Sequence, residues 1–268
     1  MDCAERRARR AAPHEHVHAD GTRHVHAHDD PHHHHDHDLA RPGGSSSRVE
    51  IEARVLAKNQ ALADRNRAWL AERNILALNL MGAPGAGKTA LLERTIRDMG
   101  TEMPLFVLEG DQATLNDGER IRAAGAPVVQ VNTGTGCHLD AGMVARGMEE
   151  LAPGDGGIVV VENVGNLVCP ALFDLGEQRR AVVLSVTEGD DKPLKYPHMF
   201  RAADLVLMNK IDLLPHVDFD LPRAAAHARS LNPDVTILRV SARTGEGLAE
   251  WYAWLRREQP KVRAAASV

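Results

Sequence analysis

Residues 82–89 read Gly82-Ala83-Pro84-Gly85-Ala86-Gly87-Lys88-Thr89, a full match to the phosphate-loop pattern G-x-x-x-x-G-K-S/T. A glycine-rich turn of this kind lets backbone N–H groups converge on phosphate oxygens, and the N-terminus of the next helix adds a favourable dipole. In that arrangement Lys88 reaches the β- and γ-phosphates and the Thr89 hydroxyl ligates Mg2+, while Ala90 opens the helix 90–100 beside them. An apolar run precedes the motif and a helical pattern follows it, which is the context the chemistry requires.

The base is read by a second pattern, Asn209-Lys210-Ile211-Asp212. A carboxylate at Asp212 accepts from both guanine N1–H and the exocyclic amine, an arrangement adenine does not offer. Asn209 is expected to contact the base edge and position its loop, with the Lys210 stem along the base. Ser241-Ala242-Arg243 follows the next apolar run and resembles the third guanine-contacting element of GTPases. The nucleotide expected is GTP. Two acids compete as further Mg2+ ligands: Asp111 in LEGDQAT and Glu162 in VVVEN. Asp111 has a second possible role in a loop that senses the γ-phosphate. For each acid the plain alternative is a strand-end residue that only caps a helix.

A softer donor set lies elsewhere. Cys137-His138 follows the third apolar run, and Cys169 follows the fourth. If those runs are neighbouring strands, their loops meet and offer two thiolates and one imidazole, a set suited to Zn2+ or Ni2+ and not to Mg2+. Three ligands leave the site incomplete, so water or a second subunit must complete it. The alternative is two structural loop cysteines and a helix-capping histidine. Of the 15 histidines, 11 crowd one segment: His14, His16, His18, His24, His26, His28, His32, His33, His34, His35 and His37. They alternate with Asp and Glu, unlike a purification tag, and form a multivalent chelator expected to bind several Ni2+ ions weakly and without fixed geometry.

These residues need a scaffold. Seven runs of Val, Ile and Leu, at 75–82, 104–111, 127–131, 157–163, 181–187, 203–210 and 235–242, alternate with amphipathic stretches such as 138–151. That is the pattern of buried parallel strands with crossover helices, an α/β doubly wound sheet that binds ligands at the carboxyl ends of its strands. Residues 49–73 carry Val55, Leu62, Trp69 and Leu70 at helical spacing and predict a helix packed on the sheet. Residues 1–48 contain few large apolar side chains and end in RPGGSSSR. They predict a disordered metal-binding tail and linker before a domain at 49–268.

Composition excludes several classes. A formal charge of −5 carries no nucleic-acid signature, and aromatics at 3% leave the core to aliphatic side chains. No stretch is long and apolar enough for a membrane span, and histidine and acid stand where a signal peptide needs an apolar run. Cys3, Cys137 and Cys169 make no disulfide framework, so a cytoplasmic location is expected.

In order along the chain, GAPGAGKT, EGDQAT, NTGTGCHLD, ENVGNLVCP, EGDDKPLKYP and NKIDLL resemble the HypB family of hydrogenase nickel-incorporation GTPases. The resemblance covers about residues 49–250. The urease GTPase family UreG shares the nucleotide motifs but lacks the GCHLD and NLVCP pairing. The resemblance implies a P-loop NTPase of the signal-recognition/MinD (SIMIBI) class that dimerises with GTP bound. It implies a nickel or zinc site at the dimer interface made by Cys137, His138 and Cys169. The implied activity is GTP hydrolysis coupled to nickel delivery, with a HypA-type chaperone and the hydrogenase large subunit as partners. Some members carry a CxxCGC motif at the extreme N-terminus; here a lone Cys3 stands there and is not expected to be a ligand, which leaves the histidine run as the nickel store. No glutamine or arginine stands at a recognisable catalytic position, so turnover is expected to be slow; Lys192 or Lys195 is a candidate nucleotide contact or a solvated loop lysine. The rival readings are a nickel buffer with an incidental GTPase, and a GTPase serving urease or another nickel enzyme.

Overall fold

A computed structural model describes residues 14–17, 23–26, 44–111, 116–133 and 138–262, with side chains from residue 53 onward except that of Asp111. The chain divides into two compact units, Met1–Glu50 and Ile51–Val268. In the first, β1 (His14–Val17) and β2 (Arg23–His26) pair antiparallel, with His14 opposite His26 and His16 opposite His24. His18, His28, His32, His33, His34, His35 and His37 lie outside the described residues, as does Cys3.

In the second unit the seven apolar runs form seven strands: β3 (Leu76–Gly82), β4 (Leu105–Asp111), β5 (Val128–Asn132), β6 (Ile158–Glu162), β7 (Arg179–Ser185), β8 (Leu205–Asn209) and β9 (Thr236–Arg239). They make one sheet in the order β5-β4-β6-β3-β7-β8-β9, and every neighbouring pair is parallel. All seven residues of β3 are buried, which is why the central strands read as unbroken apolar runs and not as alternating ones. The chain leaves β3 for β4 and β5, returns to β6 beside β3, then crosses to β7. The carboxyl ends of β3 and β6 therefore flank the switch point where such sheets bind ligands.

Helices cover both faces. They are α1 (Gly44–Glu72), α2 (Lys88–Met99), α3 (Asn116–Ala124), α4 (Ala141–Leu151), the short α5 (Lys192–Lys195) and α6 (Pro197–Arg201), α7 (Leu221–Leu231) and α8 (Leu248–Glu258). The first begins five residues earlier than its apolar spacing suggests, because Gly44-Ser45-Ser46-Ser47 continue the helical backbone. Leu91, Ile96 and Leu255 pack against Leu78 and Leu80 on one face of the sheet. Leu70, Val144 and Met148 pack against Ala77 and Leu108 on the other. Each such side chain, fully buried, contributes about 1.5–3 kcal/mol. Trp251 and Trp254 stack at 5.6 Å, and the Trp251 indole N–H donates to Thr95 at 2.9 Å, so that large buried side chain has its polar atom satisfied. Helix α4 starts where Asp140 accepts the Met143 N–H at 2.7 Å, and α7 where Asp220 accepts that of Arg223 at 2.8 Å. Among the described residues no helix is long and apolar enough to cross a membrane.

At the amino end of the sheet, Glu258 closes α8 against β7. It is only 4% exposed and accepts from Arg179 Nε at 2.8 Å, Arg257 Nε at 3.1 Å and Lys261 Nζ at 2.8 Å. Burial opposes its ionisation, but the bonds from Lys261, Arg179 and Arg257 outweigh it and hold the carboxyl down at about 2. The depressed value stabilises the fold above the ordinary glutamate pKa of 4.5, and that stability is lost as pH falls toward 2. It is worth at most about 3 kcal/mol, less because two of the three cations are half-exposed. Glu258→Gln should lower the melting temperature at neutral pH and flatten its decline between pH 4.5 and 2; an unchanged acid limb by circular dichroism would contradict this.

Candidate functional site

The phosphate loop leaves β3 at Gly82 and turns into α2 at Lys88. Gly87 sits at φ 96°, and a Cβ there would lie 2.5 Å from Asn209 Nδ2, so both the turn and the close approach require glycine. The Lys88 ammonium, 8% exposed, donates to the carbonyls of Gly82 and Ala83, each at 3.3 Å. Burial lowers its pKa, against the pull of Glu162, Asp117 and Glu188.

Glu162 closes β6 facing this loop. The Thr89 hydroxyl donates to its Oε1 at 2.7 Å, while its Oε2 is buried with no hydrogen-bond partner. Burial pushes the carboxyl up to about 7, against the Thr89 bond and the Lys88 charge. A hydroxyl and a carboxylate with a spare buried oxygen form a hard oxygen donor set, which fits Mg2+. Asp111, the rival acid, ends β4 opposite Asn132 in register; its side chain lies outside the described residues.

The guanine-type motif closes on the phosphate loop. Asn209, 1% exposed, donates from Nδ2 to the Ala86 carbonyl at 3.0 Å, and its Oδ1 accepts the Ala242 N–H at 3.3 Å. These two bonds let Asn209 hold the phosphate loop and the 241–243 element together, the loop-positioning part of the role expected for it. Lys210, at φ 64°, donates to the Gly85 carbonyl at 2.6 Å. Ser241 Oγ donates to Asp212 Oδ1 at 2.6 Å and accepts the Thr244 N–H at 3.1 Å, so the carboxylate is oriented by the third element.

A cavity of about 490 Å3 opens over these groups, lined by Lys88, Thr89, Glu162 and Lys210. Four polar side chains in the lining were not singled out from the sequence: Glu109, Asp117, Arg120 and Asn163. Arg120 reaches the cavity from α3, tied to Glu93 at 2.9 Å and Asp117 at 2.8 Å. No motif marks it, since Asp117 and Arg120 are an ordinary helical i, i+3 pair. Lys192 and Lys195 pair with Glu188 at 3.7 Å and Asp191 at 2.7 Å on their own segment.

The strand adjacency expected to bring the softer donors together is not formed. β5 and β6 are not neighbours, because β4 lies between them; the apolar runs carry no information about strand order. His138 instead stacks on Phe173, four residues beyond Cys169, with ring centroids 4.0 Å apart. Burial holds the imidazole pKa below its usual value, against the Asp140 charge, which favours the neutral ligand form. Cys169, half-buried, heads a single 3-10 turn, Cys169–Ala171. Cys137 lies outside the described residues, and among those described no three His, Cys, Asp or Glu side chains cluster around a metal position.

A buried polar chain runs between the two regions. The Leu139 N–H donates to Asn163 Oδ1 at 3.4 Å, Asn163 Nδ2 to Asn79 Oδ1 at 3.3 Å, and Asn79 Nδ2 to Glu177 Oε1 at 3.2 Å. Glu177 Oε2 then accepts the Leu175 N–H at 2.7 Å. One end adjoins Glu162, and the others adjoin His138 and the segment after Cys169.

The nucleotide-binding domain model described as CobW/HypB/UreG matches residues 76–239. The chain is 58% identical over 219 residues to the hydrogenase maturation factor HypB of Azotobacter chroococcum mcd 1, covering 81% of this chain and 72% of that one. It superposes on the crystal structure of HypB from Archaeoglobus fulgidus with a TM-score of 0.72 at 43% identity, over 76% of this chain and all of that chain. It superposes likewise on HypB from Helicobacter pylori in complex with nickel, at TM-score 0.71 and 34% identity, over 76% of this chain and 96% of that one.

The Glu162 geometry yields a direct expectation. Glu162→Gln keeps an acceptor for Thr89 but removes the charge, so Mg2+ should tighten GTP binding at least about tenfold less than in the wild type. Metal-free GTP binding should change little. Titration of a fluorescent GTP analogue with and without Mg2+ reads both, and an unchanged Mg2+ effect would remove Glu162 from the metal site.

Proposed function

The chain belongs to the HypB family of hydrogenase maturation factors, and on that premise we propose that it is a GTP-hydrolysing nickel metallochaperone. It binds Ni2+ as cargo and passes it to the large-subunit precursor of a nickel–iron hydrogenase, in step with GTP-dependent homodimerisation. The observation that carries this reading is the polar chain in which Asn163, next to Glu162, accepts the N–H of Leu139, next to His138.

Lys88 and the loop amides hold the phosphates, and Asp212, oriented by Ser241, reads guanine. Thr89 and Glu162 hold Mg2+, which when bound neutralises charge on the β- and γ-phosphate oxygens. Cys137, His138 and Cys169 take Ni2+, or Zn2+ in its place, and a second subunit completes the site. The nickel complex of the Helicobacter pylori relative supports the choice of cargo. A change of nucleotide that moves the Glu162–Asn163 segment is felt at Leu139, so the nucleotide state alters the geometry around His138. The histidine tail stores nickel, and a HypA-type chaperone is the first receiver.

A strain lacking the protein should lose hydrogenase activity and regain it with excess nickel in the medium. Restoring the Lys88→Ala variant should not rescue it at low nickel. Full rescue by that variant would reduce the protein to a nickel buffer, and a loss of urease with hydrogenase intact would assign a different client.

A further inference from the structure

We propose that α1 is the positioning element of the nickel site, with Asn59 and Asn66 holding the segments behind His138 and Cys169 in register. The inference rests on the reading of those two residues as nickel ligands. Asn59 and Asn66 are seven residues apart, so they share one face of the helix, and both are buried, at 8% and 5% exposure. A buried asparagine on a core-facing stripe displaces an apolar side chain and stands only where its hydrogen bonds are made.

Here they are made to the same two segments. The Ala141 N–H donates to Asn59 Oδ1 at 2.9 Å, while Asn59 Nδ2 donates to the Asp174 carbonyl at 2.7 Å. Asn66 Nδ2 donates to the Ala141 carbonyl at 2.8 Å and to the Leu175 carbonyl at 2.9 Å. Each asparagine thus bridges the start of α4, three residues beyond His138, to the stretch just past Phe173, on which His138 stacks. Arg67 adds two bonds to the Asp174 carboxylate, at 2.8 and 2.6 Å, from the helix surface. The fit is close enough to require glycine at Gly176 (φ 91°), where a Cβ would lie 2.5 Å from the Ala63 carbonyl and 2.6 Å from Asn66 Cβ.

None of these residues reaches the metal. They fix the separation of the two loops that supply its donors, and removing such outer partners lowers metal affinity by about 10–100-fold in other sites.

The test uses the full-length protein titrated with Ni2+ alone, read by the thiolate-to-nickel charge-transfer absorption. That band reports cysteine-bound nickel and is blind to sites built from histidines alone. In the wild type it should appear, and Cys169→Ala should abolish or strongly reduce it. Asn59→Ala and Asn66→Ala should each need about tenfold more nickel for half-maximal absorption, with GTP affinity kept within about twofold. Asn66→Asp, equal in size but without the donor, should behave as Asn66→Ala. Arg67→Ala, at a half-exposed position, should shift the titration in the same direction by less, and it carries the test if a buried substitution fails to fold. A band insensitive to Cys169→Ala would remove the underlying nickel-site reading. A Cys169-dependent band unmoved by the Asn66 or Arg67 variants would overturn the role of α1.

Discussion

The structure turns on a carboxylate held out of water at the end of a central strand. Glu162 has one oxygen satisfied by Thr89 and the other buried without a partner, and its pKa is pushed up to about 7. Lys88, also buried, donates hydrogen bonds to its own loop's carbonyls. Burial disfavours the charged form of both groups, and a bound phosphate and cation would offset that cost. On the proposed function, the ends of β3 and β6 are where nucleotide binding acts, and the segments that adjoin them are placed to respond to it.

What adjoins them is polar where a sheet interior is usually apolar. Asn79 sits in the middle of a wholly buried strand, and Asn163 immediately follows Glu162; each has its amide engaged. A fully satisfied network of this kind specifies one arrangement, because breaking a member leaves its neighbours unpaired in low dielectric. Asn163 and Glu177 lead from it to Leu139 and Leu175, the same two segments that Asn59 and Asn66 grip from the helix side. The loops carrying His138 and Cys169 are thus held from below by the nucleotide-linked chain and from outside by α1.

Much of this was legible in the residues. Seven apolar runs give seven strands because parallel strands buried on both faces leave no alternation to confuse, and the phosphate loop declares itself by glycine spacing and Lys88. Strand order was not legible: the insertion of β4 between β5 and β6 depends on how helices cross the sheet, and the meeting of His138 with Phe173 replaces the adjacency that the runs suggest. Arg120 carries no motif, and Glu109 and Asn163, though inside quoted motifs, enter the cavity through tertiary placement that the motifs do not reveal. Asn59 and Asn66 read as polar breaks in an amphipathic stripe. Only the backbone groups they meet, far away in sequence, show why they face inward.

The central claim is that nucleotide state and nickel site are one coupled system. The most direct measurement is nickel affinity at the cysteine-dependent site with GDP and with a non-hydrolysable GTP analogue, in the presence of Mg2+. A coupling of ordinary size gives affinities that differ by about fivefold or more, with the exchange of nickel to an acceptor changing in parallel. Equal affinities and equal transfer rates in the two nucleotide states would contradict it.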